Sequence, residues 1–250
     1  MSKRCLVIIP VYKQLNEAEV FAIKRNCSIL NEFDMGIMIP EDFIVDDVIK
    51  LYPKFKIYRF PSKCFNSIND YNELVLKADF YNRFIDYEYI LITQLDVLIL
   101  RNNLADFLKL NYDYIGAPWL NGYKYIHRIS GGVISKIYNK LYNKLTKRPL
   151  VYVGNGGFSL RRVSTFINVT TKYSDFIELY SDINEDVVFS WLGLLNPHDL
   201  RIADVDTALK FAFETDLRKC YELSGYSIPL GIHAWERYDK DFALELLKKL

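Results

Sequence analysis

Two hundred and fifty residues at 29.4 kDa, half of them hydrophobic and a quarter charged, exclude disordered and fibrous classes and suffice for one medium domain with a sizeable core. Lys and Arg number 32 against 31 Asp and Glu, and a net charge of +1 removes any whole-chain electrostatic argument for a nucleic-acid binder. The four cysteines, Cys5, Cys27, Cys64 and Cys220, are scattered without a Cys-x-x-Cys pair, so they read as reduced core thiols of a cytosolic protein rather than as disulfides or a zinc site.

The chain opens MSKRCLVIIPVYK, basic at first, but its apolar run over 6–11 soon meets Lys13 and no small-residue cleavage site follows. This is the pattern of a first strand buried on both faces, not of a signal peptide. Ala18, Phe21, Ala22, Cys27 and Leu30 roughly follow the helical period and predict a helix over 16–31, with Asn16 as its N-cap. A strand over 35–38, a short helix over 43–51 and a strand over 55–60 come next. A helix over 67–84, starting at Ser67 or Asn69, then leads into a buried strand over 89–94. This alternation is the signature of an α/β sheet with crossover connections. The apolar stretch 89–100 is interrupted by Asp96 and falls far short of the ~20 residues that cross a bilayer.

Further strands are predicted over 114–119 and over 150–161, the latter broken by glycines. Helices over 162–179 and 187–195, a strand or loop over 228–235 and a last helix near 242–250 complete the chain. Between the two strands lies a compositional anomaly, 122–150, holding Lys124, Arg128, Lys136, Lys140, Lys144, Lys147 and Arg148 without one Asp or Glu. Lys136, Lys140 and Lys144 recur at i, i+4 and i+8, with Ile137, Leu141 and Leu145 in a parallel row one residue later. The spacing predicts an inserted basic amphipathic helix that either packs its apolar row on the core or lies on a membrane surface.

Four features can carry chemistry. Asp96 ends a buried strand at the carboxyl edge of the sheet, where ligands bind in open α/β folds, and can hold a divalent cation or a sugar hydroxyl, or simply cap a turn. In GNGGFSLR, 154–161, three glycines in four residues permit a tight turn and close approach to a ligand, and the pattern matches neither a P-loop nor a dinucleotide fingerprint. Glu185 and Asp186 open the apolar helix of NEDVVFSW, where carboxylates either cap the helix or act as a general base. His233, in GIHAW, is a satisfied core histidine or a ligand folded back over the cleft.

Taken in order, VIIPVYK, ILITQLD, IGAPW, GNGGFSLR, EDVVFS and GIHAW resemble the nucleotide-sugar glycosyltransferases of the GT-A fold. The likeness is strongest to a bacterial and fungal group catalogued as a domain of unknown function in polysaccharide loci. GNGGFSLR with EDVVFS is also similar to the glycine-rich segment and EDV motif of β-1,3-galactosyltransferases. The resemblance implies a GT-A-like, Rossmann-like mixed and mostly parallel sheet flanked by helices, formed by residues 1–250 as a single domain with 122–150 inserted. It also implies sugar transfer from a nucleotide-diphosphate donor, UDP-sugars first, to a glycan or lipid-linked glycan acceptor in surface polysaccharide synthesis, with no nucleic-acid partner.

By the same resemblance, Asp186 or its neighbour Glu185 is the base of an inverting transfer. Asp96 and His233 are the ligands of a Mn²⁺ or Mg²⁺ ion, although Gln94-Leu95-Asp96-Val97-Leu98 keeps only one aspartate of the family's Asp-x-Asp motif. Pro10, Val11, Tyr12 and Lys13, with Glu41, take the nucleotide, while Trp119, Asn155, Gly156 and Gly157 form the acceptor side. A retaining transferase, or a noncatalytic nucleotide- or carbohydrate-binding module on the same scaffold, fits these residues too. The basic insertion makes a peripheral contact at the inner face of the plasma membrane an expectation for a cytoplasmic protein of this kind.

Overall fold

The computed structural model describes residues 3–250. In β1 (Lys3–Pro10), Cys5, Val7 and Ile9 enter one hydrophobic cluster while Leu6 and Ile8 enter another, so a strand without a polar face lies between two packed layers. β2 (Asp34–Pro40) and β3 (Lys56–Phe60) extend the sheet on one side of β1, and β4 (Tyr87–Thr93) pairs with its other side. All these pairings are parallel.

β5 (Leu98–Ile99), β6 (Tyr114–Ile115), β7 (Ala117–Lys124), β8 (Leu150–Gly154) and β9 (Phe158–Arg162) follow, and β10 (Ala212–Phe213) and β11 (Gly231–Ile232) come late in the chain. The six-stranded sheet has the order β3-β2-β1-β4-β9-β6, with β9 antiparallel to both its neighbours. A three-stranded sheet, β10-β11-β5, and the hairpin-like pair β7-β8 complete the set. The single strand expected over 150–161 is therefore two strands in different sheets, parted at the Asn155-Gly156-Gly157 turn.

Asn16 caps the helix Glu17–Ile29 as expected: its Oδ1 accepts the Glu19 N–H at 2.8 Å, and Glu19 Oε2 accepts the Asn16 N–H at 2.9 Å. The helix expected over 67–84 is broken into Ile68–Val75 and Ala78–Asn82 by extended backbone at Lys77, which lets Leu74, Val75, Phe80 and Tyr81 all reach one core cluster. The helix expected over 162–179 is likewise two, Val163–Lys172 and Ser174–Leu179. Helical backbone starts at Trp235 but is interrupted by a kink at Asp239, so the last helix, expected near 242–250, begins just after the kink and runs to Lys248. Cys5, Cys27 and Cys220 are buried free thiols, whereas Cys64 is only half-buried. Among the described residues no helix is long and apolar enough to cross a membrane.

Gly116, between β6 and β7, lies against Gly154 so closely that an added Cβ would sit 1.8 Å from the Gly154 carbonyl oxygen. Because backbone cannot swing aside as a side chain can, Gly116→Ala is expected to destabilise the fold by about 3 kcal/mol, the upper end for overpacking. The urea midpoint measures this, and a loss of under about 0.5 kcal/mol, the size of an ordinary surface change, would show that the two strands part freely.

Candidate active site

The parallel strands β1, β2 and β4 place their carboxyl ends on one edge of the sheet, which brings Tyr12, Lys13, Glu41 and Asp96 to the same rim. Antiparallel β9 starts at that rim, since Phe158 pairs with Thr93, and the Gln94 N–H donates to the Gly157 carbonyl at 2.8 Å. The glycine turn thus arrives beside the end of β4.

The small sheet supplies the other wall. Ile232 of β11 pairs with Leu98 of β5 and with Phe213 of β10, so His233 emerges between Asp96 and Glu214. Its Nδ1 lies 3.0 Å from Glu214 Oε1, and its Nε2 lies 3.4 Å from Asp96 Oδ1. Burial alone would drive the proton from this imidazole, but the two carboxylates outweigh it and raise the pKa to about 9. Burial likewise works against the Asp96 carboxylate, and His233 more than compensates, holding it below the usual carboxylate range.

On the other side of the turn, the helix Glu185–Leu195 presents its first residues. Asp186 Oδ2 accepts the Asn155 and Gly156 N–H groups at 3.0 and 3.2 Å, and Oδ1 accepts the Val187 N–H at 2.8 Å. Its carboxyl is pushed up to about 7 by burial first and then by the charges of Glu185 and Glu214, against the pull of these donors. Glu185 turns the opposite way into the core, where its Oε1 takes a 2.7 Å bond from the Arg161 Nη2. The two acids, expected as alternatives for one role, are thus placed differently: Asp186 meets the glycine turn and Glu185 meets Arg161 in the core.

The glycines are spaces filled by these side chains. A Cβ at Gly156 would lie 2.3 Å from Glu185 Oε1, and one at Gly157 would lie 2.3 Å from His233 Nε2 and 2.5 Å from Gln94 Oε1. Asn155, expected on the acceptor side, is instead buried, and its Oδ1 accepts the Gly157 and Phe158 N–H groups at 2.9 and 3.0 Å. It adopts φ +102°, the left-handed region, and so shapes the turn, while its Nδ2 is buried without a hydrogen-bond partner.

Trp119, also expected on the acceptor side, is 7% exposed, and its ring covers Gly154, where a Cβ would come within 1.9 Å. The exposed aromatic there is Tyr123, 48% accessible, which meets Trp119 edge-on at 4.4 Å and feels the charges of Asp186 and Glu214. Pro10 and Val11 are buried, and the Val11 N–H is taken by the Met38 carbonyl at 2.8 Å, leaving Tyr12 and Lys13 as the exposed pair of that segment. Lys13 Nζ binds Glu19 Oε1 at 2.7 Å. Beside them a cavity of about 760 Å³ is lined by Tyr12, Lys13, Pro40, Asp42, Phe43 and Ile44. Glu41 is exposed next to this cavity, and its carbonyl accepts from Arg59 at 2.7 Å.

Sequence reasoning missed Glu214 and Tyr123. Glu214 follows a two-residue strand, too short to show any period, and Tyr123 lies in a strand whose register is interrupted between Pro118 and Tyr123. Among the described residues no cluster of three or more His, Cys, Asp or Glu side chains is arranged to hold a metal. The Asp96 and His233 pair nevertheless suits a borderline cation whose remaining ligands come from elsewhere: His233 Nε2 is buried with no hydrogen-bond partner and points toward the half-exposed Asp96 carboxylate, and a cation binding there would displace the Nε2 proton that the two carboxylates hold.

A family model described as "Protein of unknown function (DUF5672)" matches residues 54–233. No curated protein matches the chain. Among solved structures, the galactosyltransferase LgtC in complex with donor and acceptor sugar analogs is similar at 13% identity and TM-score 0.58, over 98% of this chain and 96% of that one. An active-site mutant of LgtC is similar at 14% identity and TM-score 0.57, with the same shares covered. The glycosyltransferase GlyE of Streptococcus pneumoniae TIGR4 is similar at 11% identity and TM-score 0.55, over 99% of this chain and 60% of GlyE. At such identities the likeness is one of fold, and the mixed, mostly parallel sheet with flanking helices is that of the GT-A glycosyltransferases.

Proposed function

The chain belongs to the DUF5672 family of unknown function, and on that premise, with its fold and rim chemistry, we propose that it is a glycosyltransferase using a nucleotide-diphosphate sugar, UDP-sugars first. The observation that carries the reading is the Asn155–Gly157 turn, which touches Asp186 on one side and His233 on the other. A carboxylate at the start of a helix and a cation-competent pair are thereby joined at the ligand-binding edge of the sheet.

In this reading Tyr12 and Lys13 contact the nucleotide over the adjoining cavity, with Asp42 and Glu41 near the ribose. The acceptor approaches across Gly156 and Tyr123. Asp186 takes the proton of an acceptor hydroxyl as that oxygen bonds to the anomeric carbon, and the carbon–oxygen bond to the diphosphate breaks with its electron pair leaving on the diphosphate. Attack opposite the leaving group inverts the anomeric centre. A Mn²⁺ or Mg²⁺ ion, when bound by Asp96 and His233, would neutralise diphosphate charge. Glu214 orients His233 through Nδ1, and that bond leaves Nε2 directed toward Asp96.

Asp96→Ala and His233→Ala are each expected to weaken UDP binding by about tenfold or more in Mn²⁺, the scale of losing a diphosphate-neutralising cation, and by far less in chelator. Isothermal titration with UDP under both conditions reads the difference. Equal losses with and without the cation would leave Asp96 and His233 as direct nucleotide contacts and remove their role as ligands.

A further inference from the structure

The helix Val133–Leu145 is mounted inside out. An ordinary surface helix turns its apolar face to the core and its polar face to water. Here the half-buried positions are Ser135, Asn139 and Asn143, at i, i+4 and i+8, and no residue of the helix is buried. Asn139 accepts the Ile129 N–H through Oδ1 at 3.0 Å and donates through Nδ2 to the Ile129 carbonyl at 3.1 Å. Asn143 accepts the His127 N–H at 2.9 Å and donates to the His127 carbonyl at 2.6 Å. His127 also packs on Tyr142, ring centroids 4.4 Å apart. Two asparagines therefore bind the helix to the preceding segment almost as a neighbouring strand would.

The opposite face is left to solvent. Ile134 is 85% exposed, Ile137 63%, Leu141 54% and Leu145 73%, a continuous row along three helical turns. Lys136, Lys140 and Lys144 run beside it, all exposed. The segment 122–150 contains no Asp or Glu, and Asp182, which touches it, is engaged by Arg128 through two guanidinium nitrogens.

We propose that this outward face docks on an anionic lipid surface, its leucine and isoleucine row entering the interface and its lysine row meeting the head groups. Charge selects this occupant. A second copy seated on the same face would set lysine against lysine, and an uncharged apolar partner would leave the lysine row unmatched. The inference rests on the geometry of this helix and not on the transfer reading, and it is tested without nucleotide or acceptor.

The test is co-sedimentation of the full chain with phosphatidylcholine vesicles, with and without phosphatidylglycerol, over a range of salt. Binding is expected only with phosphatidylglycerol and is expected to fall as salt rises. Each of Lys136→Glu, Lys140→Glu and Lys144→Glu should weaken partitioning by about fivefold or more, and Ile137→Ser with Leu141→Ser should abolish it. None of these positions makes the Asn139 and Asn143 contacts, so the far-UV circular dichroism and thermal midpoint of the variants should match the parent chain and serve as their check on folding. Equal binding to both vesicle types, or none with phosphatidylglycerol at low salt, overturns the proposal. So does a lipid-free dimer that the Ile137→Ser and Leu141→Ser pair dissolves.

Discussion

Asp186→Asn is expected to lower kcat by about 10²- to 10⁴-fold, the range that a positioned general base supplies, while the dissociation constant for UDP changes little. The amide oxygen can keep the Asn155 and Gly156 N–H bonds made by Oδ2, so the turn survives, but the amide nitrogen in the place of Oδ1 loses the Val187 N–H bond and cannot accept the proton of an acceptor hydroxyl. Parallel initial-rate and titration experiments separate the two effects. The parent enzyme should add a pH signature: with the Asp186 carboxyl at about 7, the basic form grows as pH rises, and kcat/KM climbs through neutrality before levelling. Turnover of the variant near the parent level at saturating substrates would place the base elsewhere.

The other large effect is on stability. Arg161 has no exposed surface and donates to Glu185 at 2.7 Å, to the Tyr81 hydroxyl at 2.9 Å and to Ser159 Oγ at 3.0 Å. Its guanidinium also lies 5.6 Å from the ring centres of Tyr114, Phe166 and Phe189. Arg161→Met leaves Glu185 as a buried charge without its partner and is expected to cost about 3–5 kcal/mol. Adding Glu185→Gln removes that charge, so the double variant should regain much of the loss, because a buried ion pair is worth far less than the penalty of breaking it from one side. Guanidinium denaturation of the two single variants and the double variant gives the coupling. Additive losses would contradict the pairing.

The strands of the large sheet were legible because the runs at 6–11 and 89–94 are apolar on both faces, and the helix after β1 because Asn16 and Glu19 form a capping box. The small sheet was hidden, since β5, β10 and β11 have two residues each and a two-residue strand has no period to read. Glu214 was hidden with it. At the start of the 185–195 helix, composition announces two acids, but consecutive helical positions point about 100° apart and only the place of Arg161 across the core decides which acid turns inward. Trp119 posed the same question of facing, and Gly154 decides it by leaving room for the indole. The 133–145 helix shows the reverse limit: its apolar row was plain, but which side meets the protein is set by Asn139 and Asn143 and not by hydrophobicity.

The most direct measurement of the transfer reading is release of nucleoside diphosphate from a panel of uridine, guanosine and thymidine diphosphate sugars, with Mn²⁺ and with a mixed set of glycan acceptors. The account predicts release from at least one donor, UDP-sugars foremost, stimulated by acceptor and lost in Asp186→Asn. Tight binding of a nucleotide sugar with no release under any condition would contradict it and make the chain a binding module on a transferase fold.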